Sequence, residues 1–226
     1  RHIFLLLVLL FLLIAFPTEN YIENFRLFKP LFWEDIKSPE LLYSGWSPYY
    51  KIDVYKFDGE CLAVLYNLRQ QFYVCPNTSK DVLLRKITYN KLIQKNDKVL
   101  IIGAGGGMGV LTALENHPKK LVAVEIDPLV IELFKNRYSS YNNHVYSYGN
   151  VEVVVKDGRS FLDETNEVFD KIILEGTDFT LTSAPNSQVE IENYLYTVQG
   201  FKSMLKHLSS DGLIALVHIA NIPQSS

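Results

Sequence analysis

Cysteine is scarce, with only Cys61 and Cys75 among 226 residues. Their spacing fits no metal-binding pattern, and two residues cannot make a dense disulfide framework. A structural zinc site and a disulfide-stapled miniature fold are therefore excluded, and buried or edge thiols in a reducing setting are expected. Basic runs are missing too. Lys and Arg number 22 against 25 Asp and Glu, a net charge of −3. With no basic face to neutralise phosphates, a nucleic-acid partner is excluded. There is no internal repeat and no low-complexity tract beyond one apolar stretch at the start, which removes repeat architectures. That stretch, from Ile3 to Phe16, is itself short: as a helix it covers about 21 Å at roughly 1.5 Å per residue, where a full membrane span takes about 20 residues.

The apolar stretch is followed by no small-x-small cleavage site. Pro17 comes next, then Tyr21, Phe25, Phe28, Phe32 and Trp33, the composition of an interfacial aromatic belt. The chain opens on Arg1 in place of methionine, so residues 1–20 are expected to be the end of a transmembrane helix, with a signal peptide as the alternative. Arg26, Lys29 and Lys37 are mixed with Glu19, Glu23, Glu34 and Asp35 and define no orientation. The expectation is a membrane protein whose folded domain faces the cytoplasm.

With 48% hydrophobic residues the chain can bury one good core and a small appendage. Residues 21–46 are irregular and aromatic and are expected as a linker. Residues 47–96 form a β-hairpin subdomain with a connecting helix. Ile52, Val54, Tyr55 and Phe57 alternate up to the turn Asp58-Gly59, and strands over 62–66 and 72–74 follow. The helix over 81–94 presents Val82, Leu83, Ile87, Leu92 and Ile93 as its apolar face. Residues 97–226 are expected as a nucleoside-binding α/β domain. Strands over 99–102, 121–126, 151–155, 169–174 and 213–219 alternate with helices. This pattern implies a doubly wound parallel sheet of methyltransferase, Rossmann-like type, truncated after its fifth strand, with the ligand crevice at the carboxyl ends of the strands.

The first of these strands breaks into Gly103-Ala-Gly-Gly-Gly-Met-Gly109, five glycines in seven residues. Glycines allow positive φ and close approach of a ligand to backbone N–H groups. A dinucleotide fingerprint would need glycine at 108, where Met108 stands. Gly103, Gly105 and Gly107 instead fit the G-x-G-x-G of S-adenosylmethionine sites, and an NAD-dependent oxidoreductase ranks behind. Glu125 ends the second strand about 20 residues on, where an acid accepts ribose hydroxyls. Asp127 is the better cap for the helix beginning at Pro128. Asp157, followed by Gly158 at the third strand tip, either accepts an adenine amino group or caps the next helix. Glu175 and Asp178 at the fourth tip can hold a cation and take its proton, or form a solvated acidic loop. Glu190 and Glu192 either extend an acidic pocket or sit in the first turn of the last helix. His218 reads as a core histidine.

Taken together, Val-Leu-Ile-Ile-Gly, Val-Glu-Ile-Asp-Pro, Lys-Asp-Gly-Arg-Ser-Phe-Leu, Phe-Asp-Lys-Ile-Ile-Leu and Glu-Asn-Tyr-Leu-Tyr-Thr-Val, in this order behind a hairpin subdomain, resemble the spermidine synthase family of polyamine aminopropyltransferases, most closely its membrane-attached branch. The resemblance covers about residues 47–220. It implies the S-adenosylmethionine-dependent methyltransferase fold, and transfer of an aminopropyl group from decarboxylated S-adenosylmethionine to an amine such as putrescine without a metal. It leaves room for a homodimer. It also implies that Gly103 and Gly105 cradle the nucleoside, Glu125 holds ribose, Asp157 holds adenine and Glu175 stands where the family has its aspartate base. This chain departs from the family on the amine side. It reads Glu175-Gly-Thr-Asp-Phe179 where the family has Asp-Ser-Ser/Thr-Asp-Pro. The glycine loop lacks the family's aspartate, and the helix before the sheet lacks Tyr-His-Glu. Methyl transfer and a non-catalytic nucleoside-binding module remain the alternatives.

Overall fold

The computed structural model describes residues 39–57, 60–75, 80–175 and 194–217. The chain divides into two compact units, 1–37 and 38–226, and all described residues belong to the second. The apolar stretch with its expected transmembrane helix, Asp178, Glu190, Glu192 and His218 lie outside the described residues. Among the described residues, no helix is long and apolar enough to cross a membrane.

Four strands, β1 (Glu40–Trp46), β2 (Lys51–Phe57), β3 (Cys61–Tyr66) and β4 (Arg69–Val74), form an antiparallel sheet in chain order. The first lies in the stretch expected to be irregular. A bulge between Leu41 and Tyr43 shifts its register against β2, which breaks the two-residue alternation that would have marked it as a strand. At the β3–β4 turn Asn67 and Leu68 both take positive φ, 50° and 67°. This is the pair that a tight two-residue hairpin requires. Asn67 then accepts the Lys51 N–H at 3.0 Å and ties the turn to β2.

The cysteines correct the expectation of free thiols. Leu62 pairs with Val74, so the next residue out on each strand is a cysteine, and Cys61 and Cys75 are joined in a disulfide with their Cα atoms 4.3 Å apart. Directly opposed residues in a narrow antiparallel pair stand at about that distance. The pairing register, invisible in the spacing of the two residues, creates the bridge. A reducing setting inferred from free thiols loses that basis.

The second sheet is parallel throughout, in the order β7-β6-β5-β8-β9. Its strands are β5 (Lys98–Ile102), β6 (Lys120–Glu125), β7 (Val151–Val155), β8 (Phe169–Glu175) and β9 (Leu208–Val217). Helix α1 (Lys80–Leu92) precedes it, and α2 (Met108–Leu114), α3 (Pro128–Glu132), α4 (Gly158–Glu164) and α5 (Val198–Lys206) connect its strands. Beyond α3 the chain continues as one π-helical stretch, Leu133–Arg137. Alternate residues of each central strand enter different cores. Val99, Ile101, Leu121 and Ala123 pack with Val110 and Ala113 of α2, Val130 of α3 and the antiparallel sheet. Leu100, Ile102, Val122 and Val124 pack with Phe161 and Leu162 of α4 and Met204 of α5. Burial on both faces is why these strands read as nearly continuous apolar runs. At the amino ends of the strands, Glu167 pairs with Lys98 and Lys120, and Asp170 accepts the Lys98 N–H. These contacts hold both carboxyls below the usual range.

Helix α1 corrects a second expectation. Leu83 and Ile87, assigned to its apolar face, are 49% and 57% exposed, whereas Tyr89 and Ile93 are buried. The helix turns its Arg85, Tyr89 and Ile93 side inward, residues four apart on one face. That face packs Tyr89 and Ile93 into the core and sets Arg85 and Tyr89 against a carboxylate at the tip of β8.

Candidate active site

The carboxyl ends of β5, β6, β7 and β8 bring together the glycine loop, Glu125, Asp157 and Glu175, as the strand order requires. Glycines 103, 105 and 107 all have positive φ, 86°, 50° and 87°. Their amides are less available than the motif suggests. The N–H groups of Gly103 and Ala104 donate to the Val124 carbonyl, that of Gly107 to the Ala104 carbonyl, and that of Gly105 to the Glu125 carboxylate at 2.8 Å. The loop therefore contributes close approach and shape more than these four donors.

Glu125 is buried beneath the loop. One oxygen accepts from Gly105, and the other accepts from the Asp127 N–H at 3.1 Å. Burial pushes its carboxyl above the ordinary range, and these backbone donors pull the other way. Each carboxylate oxygen can accept more than one hydrogen bond, so capacity remains for a hydroxyl group. Asp127 caps α3 by accepting the Leu129 N–H at 2.9 Å, as Pro128 in the first turn foretold.

Asp157 caps α4, accepting the Ser160 N–H at 2.8 Å. Gly158 is buried for a packing reason, because a Cβ there would come within 2.4 Å of Ile102. The antiparallel sheet roofs the loop. Phe72 stands 3.4 Å from where a Cβ on residue 105 would be, and a Cβ on residue 106 would meet Val74 at 2.3 Å. An apolar roof over Gly106 accompanies the missing loop aspartate. Tyr50 and Tyr66 of the same sheet stack with ring centroids 4.8 Å apart. Burial foremost, then the charges of Asp127 and Glu125, push the Tyr50 phenol up to about 12. The same causes, with Glu125 the larger charge, push the Tyr66 phenol well above its ordinary value.

Two residues that the sequence did not single out clamp the loop from the side. Tyr146 donates to the Gly105 carbonyl at 2.7 Å, and Asn142 donates to the Gly106 carbonyl at 3.0 Å. Their only signal was the polar run after the π-helical stretch, where Asn143 and His144 take positive φ.

Glu175 ends β8 with its side chain buried. Its Oε1 lies 3.0 Å from the Arg85 guanidinium, and its Oε2 accepts the Tyr89 hydroxyl at 3.0 Å. The carboxylate extends over the first turn of α2, where a Cβ on residue 109 would stand 1.4 Å from Oε2. Gly109 is thus the vacancy into which the longer acid fits. Arg85, Tyr89 and Gly109 were also missed as site residues. The four-residue spacing of the first two and the fifth glycine of the run were their only marks. Among the described residues, no group of three or more His, Cys, Asp or Glu could hold a metal ion.

The sequence profile of the spermine/spermidine synthase domain matches residues 87–223. A polyamine aminopropyltransferase of Buchnera aphidicola subsp. Schizaphis graminum is 36% identical over 94 residues, 41% of this chain and 32% of the relative. One from Korarchaeum cryptofilum is 32% identical over 127 residues, 56% of this chain and 36% of the relative. The chain thus spans about a third of the length of these curated relatives. Among solved structures, spermidine synthase from Thermotoga maritima superposes with a TM-score of 0.59 at 22% identity, covering 78% of this chain and 56% of that one. A spermidine synthase in complex with the transition state analogue AdoDATO gives 0.62 at 20% identity, covering 78% and 57%. These two likenesses support the fold, and the profile, which spans more than half of the chain, shows that it belongs to the spermine/spermidine synthase family.

Proposed function

We propose that this chain is an aminopropyltransferase, moving an aminopropyl group from decarboxylated S-adenosylmethionine to an amine. The observation that carries the reading is the convergence of the glycine loop, Glu125, Asp157 and Glu175 on adjacent strand tips in a chain of this family. In this reading Glu125 accepts the ribose hydroxyls, Asp157 and the backbone at Gly158 meet adenine, and Gly103, Gly105 and Gly107 allow the nucleoside to lie against the loop. The amine nitrogen attacks the carbon next to the sulfonium. The carbon–sulfur bond breaks, its electron pair stays on sulfur, and a neutral thioether nucleoside leaves. No general acid is needed. The attacking ammonium must first lose a proton, and Glu175 is the carboxylate assigned to take it. Asp178 is assigned as a second anchor for the amine charge.

The test is turnover, followed by mass spectrometry as appearance of 5′-methylthioadenosine from decarboxylated S-adenosylmethionine in the presence of an amine. Glu175→Gln should abolish turnover and leave nucleoside affinity within about threefold. Turnover above a tenth of the parent rate removes Glu175 as the base. Attachment to a membrane through residues 1–16 belongs to the same proposal, supported by their apolar composition. Deleting them should shift the chain from the detergent-extracted to the soluble fraction, and a parent chain already soluble at high salt refutes it.

A further inference from the structure

Against the glycine loop lies a hydroxyl to which the transferase reading gives no task. Tyr146, in the short turn Val145–Ser147, is buried, and its O–H is shared between two successive loop carbonyls, Gly105 at 2.7 Å and Ala104 at 3.0 Å. The peptide unit joining Ala104 to Gly105 is planar and trans, so its C=O and N–H point in opposite directions. With its carbonyl on Tyr146, that unit turns its N–H the other way, where it donates to Glu125 Oε2 at 2.8 Å. Hydroxyl, peptide and carboxylate thus form one buried chain of hydrogen bonds, and each bond in such a chain polarises the next. Asn142 has no such reach: it holds the Gly106 carbonyl, and the N–H of that peptide unit returns to the Ala104 carbonyl. Burial foremost, then the charges of Glu125 and Glu175, push the Tyr146 phenol well above its ordinary value, so it remains a donor at neutral pH.

We propose that Tyr146 is a positioning residue for nucleoside recognition, setting the Glu125 carboxylate for the ribose hydroxyls through the single peptide group between Ala104 and Gly105. This rests on the transferase reading and adds to it the group that holds its ribose acid. The Asp127 N–H fixes only the other carboxylate oxygen, and the plane of the acid is set when both are held. An acid that must meet two hydroxyls at once gains most from being set beforehand. The loop cannot do this by itself, because glycines 105, 106 and 107 place few limits on how their peptide units rotate. Without the Tyr146 hydroxyl the Gly105 carbonyl has no donor among the described residues, and the Ala104 carbonyl keeps only the Gly107 N–H. The 104–105 unit then turns more freely and its N–H leaves Glu125.

The experiment titrates the full chain in detergent calorimetrically with 5′-methylthioadenosine and with its 2′,3′-dideoxy analogue. The parent should bind the ribonucleoside about tenfold or more tightly than the analogue. Tyr146→Phe, which removes one oxygen and keeps the ring, should weaken the ribonucleoside by about tenfold and leave the analogue within about threefold, so that the discrimination is lost. In a Glu125→Gln background the same substitution should change affinity by no more than about twofold, because the acid through which it acts is gone. Tyr138→Phe takes a hydroxyl from the Leu42 carbonyl, has no bond to the loop, and should keep the parent ratio. A merely structural role for Tyr146 lowers both affinities together, and that outcome overturns the proposal, as does a ratio that Tyr146→Phe leaves unmoved. Loss of the ratio in Tyr138→Phe overturns it too, and can be read whether or not Tyr146→Phe folds. A parent that binds both nucleosides equally removes the ribose role of Glu125 and the role of Tyr146 with it, whereas a parent that binds neither overturns the transferase reading itself.

Discussion

Replacing Gly109 by alanine tests whether the length of Glu175 and the absence of a side chain at 109 are one feature or two. The added Cβ would stand 1.4 Å from Glu175 Oε2 and 2.5 Å from its carboxyl carbon. The carboxylate must therefore rotate away, since the helix backbone cannot yield by that distance. Rotation forfeits the hydrogen bond from the buried Tyr89 hydroxyl, and a bond to a charged group contributes about 1.5–3 kcal/mol. It also loosens the contact with Arg85. Alanine returns up to about 1 kcal/mol of helix propensity relative to glycine. The net cost is about 2 kcal/mol, roughly a thirtyfold fall in the folding constant. In a chain of this size that lowers the melting temperature by about 4–8 °C. The decisive comparison is made in a Glu175→Asp background, where the acid is one methylene shorter and leaves the space free. There Gly109→Ala should be neutral or slightly stabilising. Urea denaturation of the parent, the two single variants and the double variant, followed by circular dichroism, yields the coupling directly. An equal cost in both backgrounds refutes the argument that Glu175 fills the place of the missing side chain.

Glu125→Ala should weaken nucleoside binding by about ten- to a hundredfold and also destabilise the loop, because Gly105 and Asp127 lose their acceptor; unchanged affinity by calorimetry, also in Asp157→Ala, refutes both nucleoside assignments. Reducing the Cys61–Cys75 bridge, which spans a separation of 14 residues, should cost about 3 kcal/mol, and thermal melts that coincide with and without reductant refute a formed bridge. Folding raises the phenols of Tyr50, Tyr66, Tyr89 and Tyr146, so the stability they contribute is fully present below the ordinary tyrosine value of 10.0 and is lost as pH climbs through the raised values. The urea midpoint should therefore fall between pH 10 and 12, with phenolate absorbance at 295 nm rising in step with unfolding. Titration of every tyrosine near pH 10 in a still-folded chain contradicts this.

Some of this protein is decided by local chemistry and can be read along the chain. The five parallel strands follow from short apolar runs separated by helical stretches, and their acidic tips follow from the strand ends. Asp127 caps α3 because Pro128 follows it and its carboxylate needs only the N–H two residues on. The glycine turn is equally local, since residues without side chains adopt its three positive φ values with the least strain. Other features depend on partners that only the folded chain brings together. Tyr89 and Glu175 meet across 86 residues of sequence. The inward side of α1 packs Tyr89 and Ile93 into the core and brings Arg85 and Tyr89 to that buried acid, while Leu83 and Ile87 are left exposed. The bridge between Cys61 and Cys75 depends on the register of β3 against β4, which a bulge between Val64 and Leu65 shifts by a step that spacing does not reveal. Sequence thus determined which residues line the strand tips. Tertiary structure decided which of them are already partnered, because a carboxylate's partners are set by what packs against it and not by its neighbours along the chain.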